Sequence, residues 1–167
     1  SVLQRHPAAS LHLYTSWVVT LALAQSTPGI PMMAEMHKLQ ELIERTPRCT
    51  HHGWVPHSVL IHEMSISGIY AYPGGSMPEG FGVSLVQAAA CGLNVIAPDE
   101  GALSEVLSWR SNWDRQSGAS GLASMMVLGM TFPMMESLRR TQAIKAFKDH
   151  SWSAVADRFE AVMKEAL

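Results

Sequence analysis

The residues best suited to chemistry lie in a glycine-rich segment that joins a strand-like stretch to a helix-like stretch, YPGGSMPEGFGVSLVQAAACG over residues 72–92. Amides at the start of a helix have no partner within the helix, and the helix dipole adds partial positive charge there. Glycines allow an anion to approach such amides closely. We therefore expect a phosphate site built from the amides of Gly82, Val83 and Ser84.

Two polar side chains border this expected phosphate site. The Glu79 carboxylate would repel phosphate, but it is a pure acceptor and suits sugar hydroxyls. Gln87 follows Gly82 by five residues, roughly 7.5 Å along a helix axis, so Glu79 and Gln87 would flank a diphosphate. Ser84 and Gln87 share one helical face. The same residues also fit an ordinary surface loop with a solvated glutamate and an exposed glutamine.

Positive charge is scarce around the segment. No Lys or Arg occurs between Arg48 and Arg110, although a diphosphate needs cations as well as amides. We expect those cations to come from a segment upstream of Ser1 or from a partner domain. The whole chain has 12 Lys+Arg and 14 Asp+Glu, a net charge of −2, which argues against nucleic-acid binding.

Other kinds of catalytic or metal site lack the spacing they require. His57 and His62 lie five residues apart, about 140° around a helix, and no Cys/His/Asp cluster accompanies them, so we expect no metal site. Cys91 falls at the end of the predicted helix, where a thiolate is not stabilised. Ser84 lies outside a G-x-S-x-G elbow, which argues against a serine hydrolase.

The elements that must position the segment alternate between strand and helix. Gly92 is expected to end the helix that follows the glycine-rich loop. Alternating short strands and helices predict a parallel sheet covered on both faces. The predicted strands are 10–16, 49–52, 67–72 and 93–97, and the predicted helices are 32–45, 57–64, 83–91 and 102–107.

Beyond residue 107 the patterns weaken. The polar, turn-rich stretch 108–121 predicts a loop, and 122–130 fits either a helix or a buried strand. Two helices are predicted at 134–148 and 151–166, with Ser151 as the N-cap of the second. We expect three aromatic side chains to pack these helices: Phe147, Trp152 and Phe159.

Size and composition predict one domain, because 167 residues with 47% hydrophobic positions can bury one core. Two cysteines give no disulfide framework, which favours the reducing cytoplasm. The longest apolar stretches are too short, or are broken by Gly129 and Pro133, to cross a bilayer, and no signal-peptide pattern opens the chain. A position at the periphery of the inner membrane stays open.

The string PEGFGVSLVQAAACG at residues 78–92 resembles the signature of family 4 retaining glycosyltransferases of GT-B architecture. The segments HHGWVP at 51–56 and GLNVIAPDEGALSE at 92–105 are similar to the turn, strand and helix that flank this signature. The resemblance implies an α/β fold: a Rossmann-like parallel sheet with helices on both faces, one half of a GT-B fold. It also implies a nucleoside diphosphate sugar as the donor substrate.

The resemblance gives individual residues their expected roles. Glu79 would be the catalytic position that hydrogen-bonds the transferred sugar. Gln87, eight residues later, stands where the family has a second glutamate that holds the ribose; its amide loses charge assistance, about 1 kcal/mol. The remaining expected substrate-binding residues are Val55, Gly80, Phe81, Gly82, Val83 and Ser84.

The resemblance implies that residues 1–167 are a single donor-binding domain, with 151–167 as its terminal helix, of a retaining glycosyltransferase that needs no metal or other cofactor. The acceptor would bind to a separate N-terminal domain of the full-length protein, so this fragment would bind the donor without turnover. Two alternatives stay open. One is half of a nucleotide-sugar epimerase; the other is a noncatalytic nucleotide-sugar-binding or scaffolding domain, which only Gln87 suggests.

Overall fold

The computed structural model describes residues 1–15, 32–74, 79–106, 111–132 and 134–165. The chain divides into two compact units, Ser1–Leu60 and Ile61–Leu167. The prediction of a single functional domain over the whole chain stays a prediction.

The first unit contains two short parallel strands, with Leu11 opposite Cys49. Both strands lie within their predicted ranges, the first predicted from period-two alternation and the second from a short extended run at 49–52, although the predicted end of the first strand at Ser16 lies outside the described residues. The helix predicted at 32–45 is confirmed over the same residues. The elements are α1 (Val2–Arg5), β1 (Leu11–Leu13), α2 (Met32–Arg45) and β2 (Cys49–His51), and α3 (His57–Ile66) follows.

Arg48 ties the N-terminal turn to the start of β2. Its backbone has φ 61°, a left-handed conformation that is uncommon outside glycine. Its guanidinium donates hydrogen bonds to four backbone carbonyls, those of Leu3, His6, Pro7 and Ala9. The Arg48 side chain therefore has a structural role, and its positive charge is bound to backbone carbonyls of the first unit.

The second unit contains a parallel sheet in the order β3-β4-β5. Tyr72 and Ala97 accordingly lie at the carboxyl ends of neighbouring strands, as the sequence predicts. The elements are β3 (Ile69–Ala71), α4 (Val83–Ala90), β4 (Asn94–Pro98), α5 (Leu103–Val106), β5 (Ser111–Trp113), a 3₁₀ turn (Arg115–Ser117), α6 (Gly118–Thr131), α7 (Met134–His150) and α8 (Trp152–Glu165).

The core of this unit centres on β4, whose five residues are all buried. Helix α4 buries Leu85, Val86, Ala88 and Ala89. It contacts β4 and α7, while α6 contacts all three strands. The predicted α/β fold with a parallel sheet flanked by helices is confirmed.

A buried polar pair links the first residues of β4 and β5. The Ser111 hydroxyl donates to the Asn94 side-chain oxygen over 2.9 Å. A Cβ on Gly129 of α6 would lie 2.7 Å from Asn94 Nδ2 and 3.3 Å from Ile69 Cδ1. Because Gly129 has no side chain, α6 can approach the sheet over this pair.

In the C-terminal third two expectations are revised and one open alternative is decided. The predicted loop at 108–121 is wrong, since residues 111–113 form β5 and α6 already begins at Gly118. Of the two options for 122–130, the structure has the helix. The expected packing of Phe147, Trp152 and Phe159 is also wrong, because these side chains are 70%, 90% and 69% exposed.

The hydroxyl of Ser151 accepts a hydrogen bond from the amide of Ala154 over 3.2 Å, which confirms the predicted N-cap of α8. Across the described ranges, no helix is both long and apolar enough to span a membrane.

Candidate functional site

Helix α4 begins with open backbone donors. Its N-cap, Gly82, has φ 77° and ψ 50°, and no side chain caps the helix. The carbonyl of Gly82 accepts the amides of Leu85 and Val86, whereas the amides of Val83 and Ser84 have no acceptor in the described part of the chain. The helix start expected from the glycine pattern is therefore present, with two amides available to an anion.

Gly82 is held in a confined space. A Cβ there would lie 2.8 Å from Leu103 Cδ2 and 3.1 Å from Leu85 Cδ1. The left-handed φ also disfavours any other residue. Glycine is thus required at this position both by the backbone conformation and by the packing of α5 against the start of α4.

Glu79 lies beside this helix start. Its Oε1 accepts the amide of Gly82 over 3.2 Å, and its Oε2 accepts the phenol of Tyr72 over 3.0 Å. Its backbone carbonyl accepts the amide of Ala102 over 3.0 Å. The carboxylate is therefore fixed next to the open amides, and each oxygen keeps acceptor capacity for a further hydroxyl.

Two tyrosines contact the site from the sheet: Tyr70 lies in β3, and Tyr72 follows directly after it. The Tyr72 phenol donates to Glu79, and the Tyr70 phenol donates to Ser84 Oγ over 3.1 Å. Burial raises the pKa of Tyr70, against a lowering contribution from its bond to Ser84. Burial also raises the pKa of Tyr72, and its bond to Glu79 raises it further. Both phenols therefore remain protonated donors at neutral pH.

Sequence reasoning missed these tyrosines as site residues. The available signal was their spacing, since positions 70 and 72 share one face of a strand that runs directly into the glycine-rich loop. Hydrogen bonds that join Tyr72 to Glu79 and Tyr70 to Ser84 depend on how the loop folds back, which period-two patterning does not specify.

A cavity of about 470 Å³ opens at the carboxyl ends of β4 and β5. It lies at the edge of the sheet where ligands bind in open parallel α/β folds. Within it Arg115 pairs with Glu100 over 2.7 Å, and a Cβ on Gly74 would lie 2.6 Å from Glu100 Oε1. The lining residues are Pro98, Asp99, Glu100, Asn112, Trp113, Asp114, Arg115 and Gln116.

Arg115 therefore brings one cation to this edge from within the chain, whereas the sequence led us to expect cations only from outside. The Glu100 carboxylate compensates its charge. The sequence signal was weak, because residues 108–121 resemble a loop and gave no reason to align Arg115 with the strand ends.

The remaining expected site residues are distributed as follows. Gln87 lies one turn beyond Ser84 on α4 and is partly exposed. Phe81 is 44% exposed, and its ring meets that of His150 edge-on at 5.6 Å between centroids. Gly80 lies in the exposed turn before it. Val55 is half-buried after β2 in the first unit.

Among the described residues, histidine and cysteine give no competing centre. In the described ranges no group of three His, Cys, Asp or Glu side chains is arranged to hold a metal ion. His12 Nδ1 and His52 Nε2 lie 2.9 Å apart, and the Tyr14 ring stacks on His52 at 4.6 Å. Burial raises the pKa of the Cys91 thiol, so it is protonated at neutral pH and unsuited to nucleophilic attack.

Comparison with known proteins gives a consistent result. Residues 29–112 match the family described as Glycosyl transferases group 1. The chain is 30% identical over 134 residues to the phosphatidylinositol N-acetylglucosaminyltransferase gpi3 subunit of Schizosaccharomyces pombe, covering 80% of this chain and 28% of that protein.

The fold is similar to that of sucrose-phosphate synthase from Thermosynechococcus elongatus, with a TM-score of 0.73 and 21% identity. This match covers 99% of the chain and 40% of the synthase. The chain thus spans well under half the length of either protein.

Proposed function

The chain belongs to the group 1 glycosyltransferase family and its fold is one half of the GT-B architecture, and from this premise we propose that it is the donor-binding part of a retaining enzyme that uses a nucleoside diphosphate sugar. One observation carries the proposal: the Glu79 carboxylate lies beside two open amides at the start of α4. Acceptors for hydroxyls next to donors for phosphate match a sugar linked to a diphosphate.

In this proposal each group has one task. The amides of Val83 and Ser84 bind the diphosphate and stabilise the negative charge that grows on it as the sugar leaves. Glu79 accepts hydrogen bonds from hydroxyls of the transferred sugar and fixes its orientation. Gln87 holds the ribose. Gly80 and Phe81 complete the donor site, and the expected contact from Val55 stays a prediction.

The rest of the full-length protein would supply the acceptor domain and further cations, and no metal or other cofactor is required. The gpi3 subunit is named for N-acetylglucosaminyl transfer to phosphatidylinositol. By that likeness we propose an amphipathic acceptor and a location at the cytoplasmic periphery of a membrane. N-acetylglucosamine nucleotides are accordingly the first donors to test.

A noncatalytic nucleotide-sugar-binding domain is the second candidate, and the neutral side chain at position 87 favours it. Glutamine can accept from one ribose hydroxyl and donate to another, so binding would persist in either case. Sugar-transfer activity of the full-length protein separates the two candidates.

The proposal is tested by calorimetric titration of the chain with UDP- and GDP-sugars and with the bare diphosphates. We expect saturable binding of one nucleotide series. Glu79→Ala should weaken binding of the nucleotide sugar much more than binding of the bare diphosphate, because Glu79 contacts only the sugar. Glu105→Ala, an exposed change on α5, is the control and should leave both affinities unchanged. Equal losses for both ligands in Glu79→Ala would contradict the assigned role of Glu79.

A further inference from the structure

Glu79 lies in a turn, yet its carboxylate is held at both oxygens. Gly82 N–H is 3.2 Å from Oε1, and the Tyr72 phenol oxygen is 3.0 Å from Oε2. The Gly82 amide belongs to the same short turn. Tyr72 is the contact that connects the carboxylate to the sheet.

The backbone of Tyr72 is fixed by hydrogen bonds to β4, which neighbours β3, and to a side chain of β5 beyond it. Its amide donates to the carbonyl of Ile96 in β4 over 2.8 Å. Its carbonyl accepts the indole N–H of Trp113 in β5 over 3.3 Å, and Trp113 is only 7% exposed. The phenol therefore extends from a backbone position that hydrogen bonds to β4 and β5 hold in place.

Tyr70 makes the corresponding contact with the helix. It lies within β3, opposite Val95, and its phenol reaches Ser84 Oγ over 3.1 Å. The Tyr72 phenol thus contacts the Glu79 carboxylate, and the Tyr70 phenol contacts Ser84, whose backbone amide is open.

We propose that Tyr72 is a positioning residue that aims the Glu79 carboxylate at the donor sugar, and that Tyr70 positions the start of α4 for the diphosphate. This inference rests on the proposed function and extends it to two residues of the sheet. The specificity for a sugar-bearing nucleotide over a bare diphosphate then depends on Tyr72, although Tyr72 itself does not need to touch the ligand.

Matched Tyr→Phe variants test the proposal, because each removes a single hydroxyl from the same strand. We expect Tyr72→Phe to lower the affinity for the nucleotide sugar about fivefold, which corresponds to about 1 kcal/mol, and to leave the affinity for the bare diphosphate unchanged, because Tyr72 affects the ligand only through the position of Glu79. Tyr70→Phe should lower both affinities by a common factor. Equal losses for both ligands in Tyr72→Phe would overturn the proposal.

A double-mutant cycle shows whether Tyr72 acts through Glu79. In a Glu79→Ala background, Tyr72→Phe should have no further effect on the affinity for the nucleotide sugar. A loss of about fivefold in both backgrounds would mean that Tyr72 acts by another route, and would overturn the proposal.

Hydrogen exchange without ligand separates this inference from the proposed function. In Tyr72→Phe the amide of Gly82 should exchange faster, since its acceptor Glu79 is less fixed, while the amide of Leu93, bonded to Ala88, should be unchanged. Unchanged exchange at Gly82 in a chain that binds nucleotides would refute the positioning role alone. A wild-type chain that binds neither ligand would refute the proposed function, and with it the role of Tyr72 toward the sugar.

Discussion

A glycine flanks each end of helix α4, and the two glycines have different surroundings. Gly82 precedes the helix with φ 77°, and Gly92 follows it with φ 84°. At Gly82 the amides that come next are open, whereas the carbonyl of Gly92 accepts Arg139 Nε over 2.6 Å. The amide of Leu93 also bonds back to the carbonyl of Ala88.

Space around the two glycines differs as well. A Cβ on Gly82 would meet Leu103 at 2.8 Å, but a Cβ on Gly92 would meet no described atom within 4 Å. Positive φ alone therefore does not distinguish Gly82, at the proposed ligand site, from Gly92 at the other end of the helix. The distinguishing features are donors left open next to the glycine and a confined space that brings neighbouring groups close.

The largest effect should come from Gly82→Ala. The left-handed backbone costs about 1–2 kcal/mol for a residue with a side chain, and overpacking against Leu103 adds roughly 1–3 kcal/mol. We expect a lower free energy of unfolding in urea and loss of nucleotide binding in calorimetry. Wild-type affinity in this variant would show that the open end of α4 is not the phosphate site.

Next in size is Arg139→Ala, which removes a guanidinium bond to the carbonyl of Gly92. A hydrogen bond to a charged group contributes about 1.5–3 kcal/mol, so urea denaturation should show a loss in that range. Because this end of the helix has no part in the proposed ligand site, the affinity of the folded variant for nucleotides should be unchanged. A fall in affinity without a fall in stability would contradict the view that the Gly82 end of α4 binds the ligand and the Gly92 end has only a structural role.

Gly92→Ala should cost about 1–2 kcal/mol in unfolding free energy from backbone conformation alone. Its open surroundings add no packing penalty. Measured beside Gly82→Ala, it separates the conformational cost that both variants share from the packing and binding costs specific to Gly82. If Gly82→Ala and Gly92→Ala lost similar stability and similar affinity, the proposed difference between the two glycines would be wrong.

The smallest effect is expected from Gln87→Glu, one turn inside the open end. A carboxylate accepts ribose hydroxyls more strongly, by about 1 kcal/mol. Repulsion from a diphosphate about 8 Å away opposes this by up to ~2 kcal/mol before screening. We expect tighter binding in the full-length protein, where further cations offset the repulsion, and little change in this fragment. Weaker binding in the full-length protein would favour the noncatalytic candidate.

The sequence predicts the parts of the fold and site that depend on local patterns. Composition, spacing and resemblance single out Glu79, Gly82 and the helix that begins at Val83; the helix is confirmed, and the binding roles of Glu79 and Gly82 stay predictions. Strand β5 was missed because Ser111 and Asn112 are polar, and their place in the sheet comes from pairing with β4 rather than from local propensity.

Long-range contacts account for the other gaps. The bonds from Tyr70 and Tyr72 require the loop and helix to fold back over β3, which no single window of sequence encodes. The N-cap at Ser151 identified the start of α8, but a helix pattern could not show that Phe159 would be exposed, because it defines a helix face without showing what packs on that face.

The buried pair of Asn94 and Ser111 has a consequence for how the sheet assembles. Strand β5 is short, and two of its three residues are polar, while Trp113 supplies its buried apolar side chain. In the observed alignment Ser111 lies opposite Ile96, and its hydroxyl reaches the Asn94 oxygen. A slip by one residue would turn Ser111 to the other face and leave the Asn94 oxygen buried without a donor, a penalty of about 1–3 kcal/mol. The pair therefore favours the observed alignment of β5 on β4 over a one-residue slip, and that alignment determines where Arg115 reaches the sheet edge.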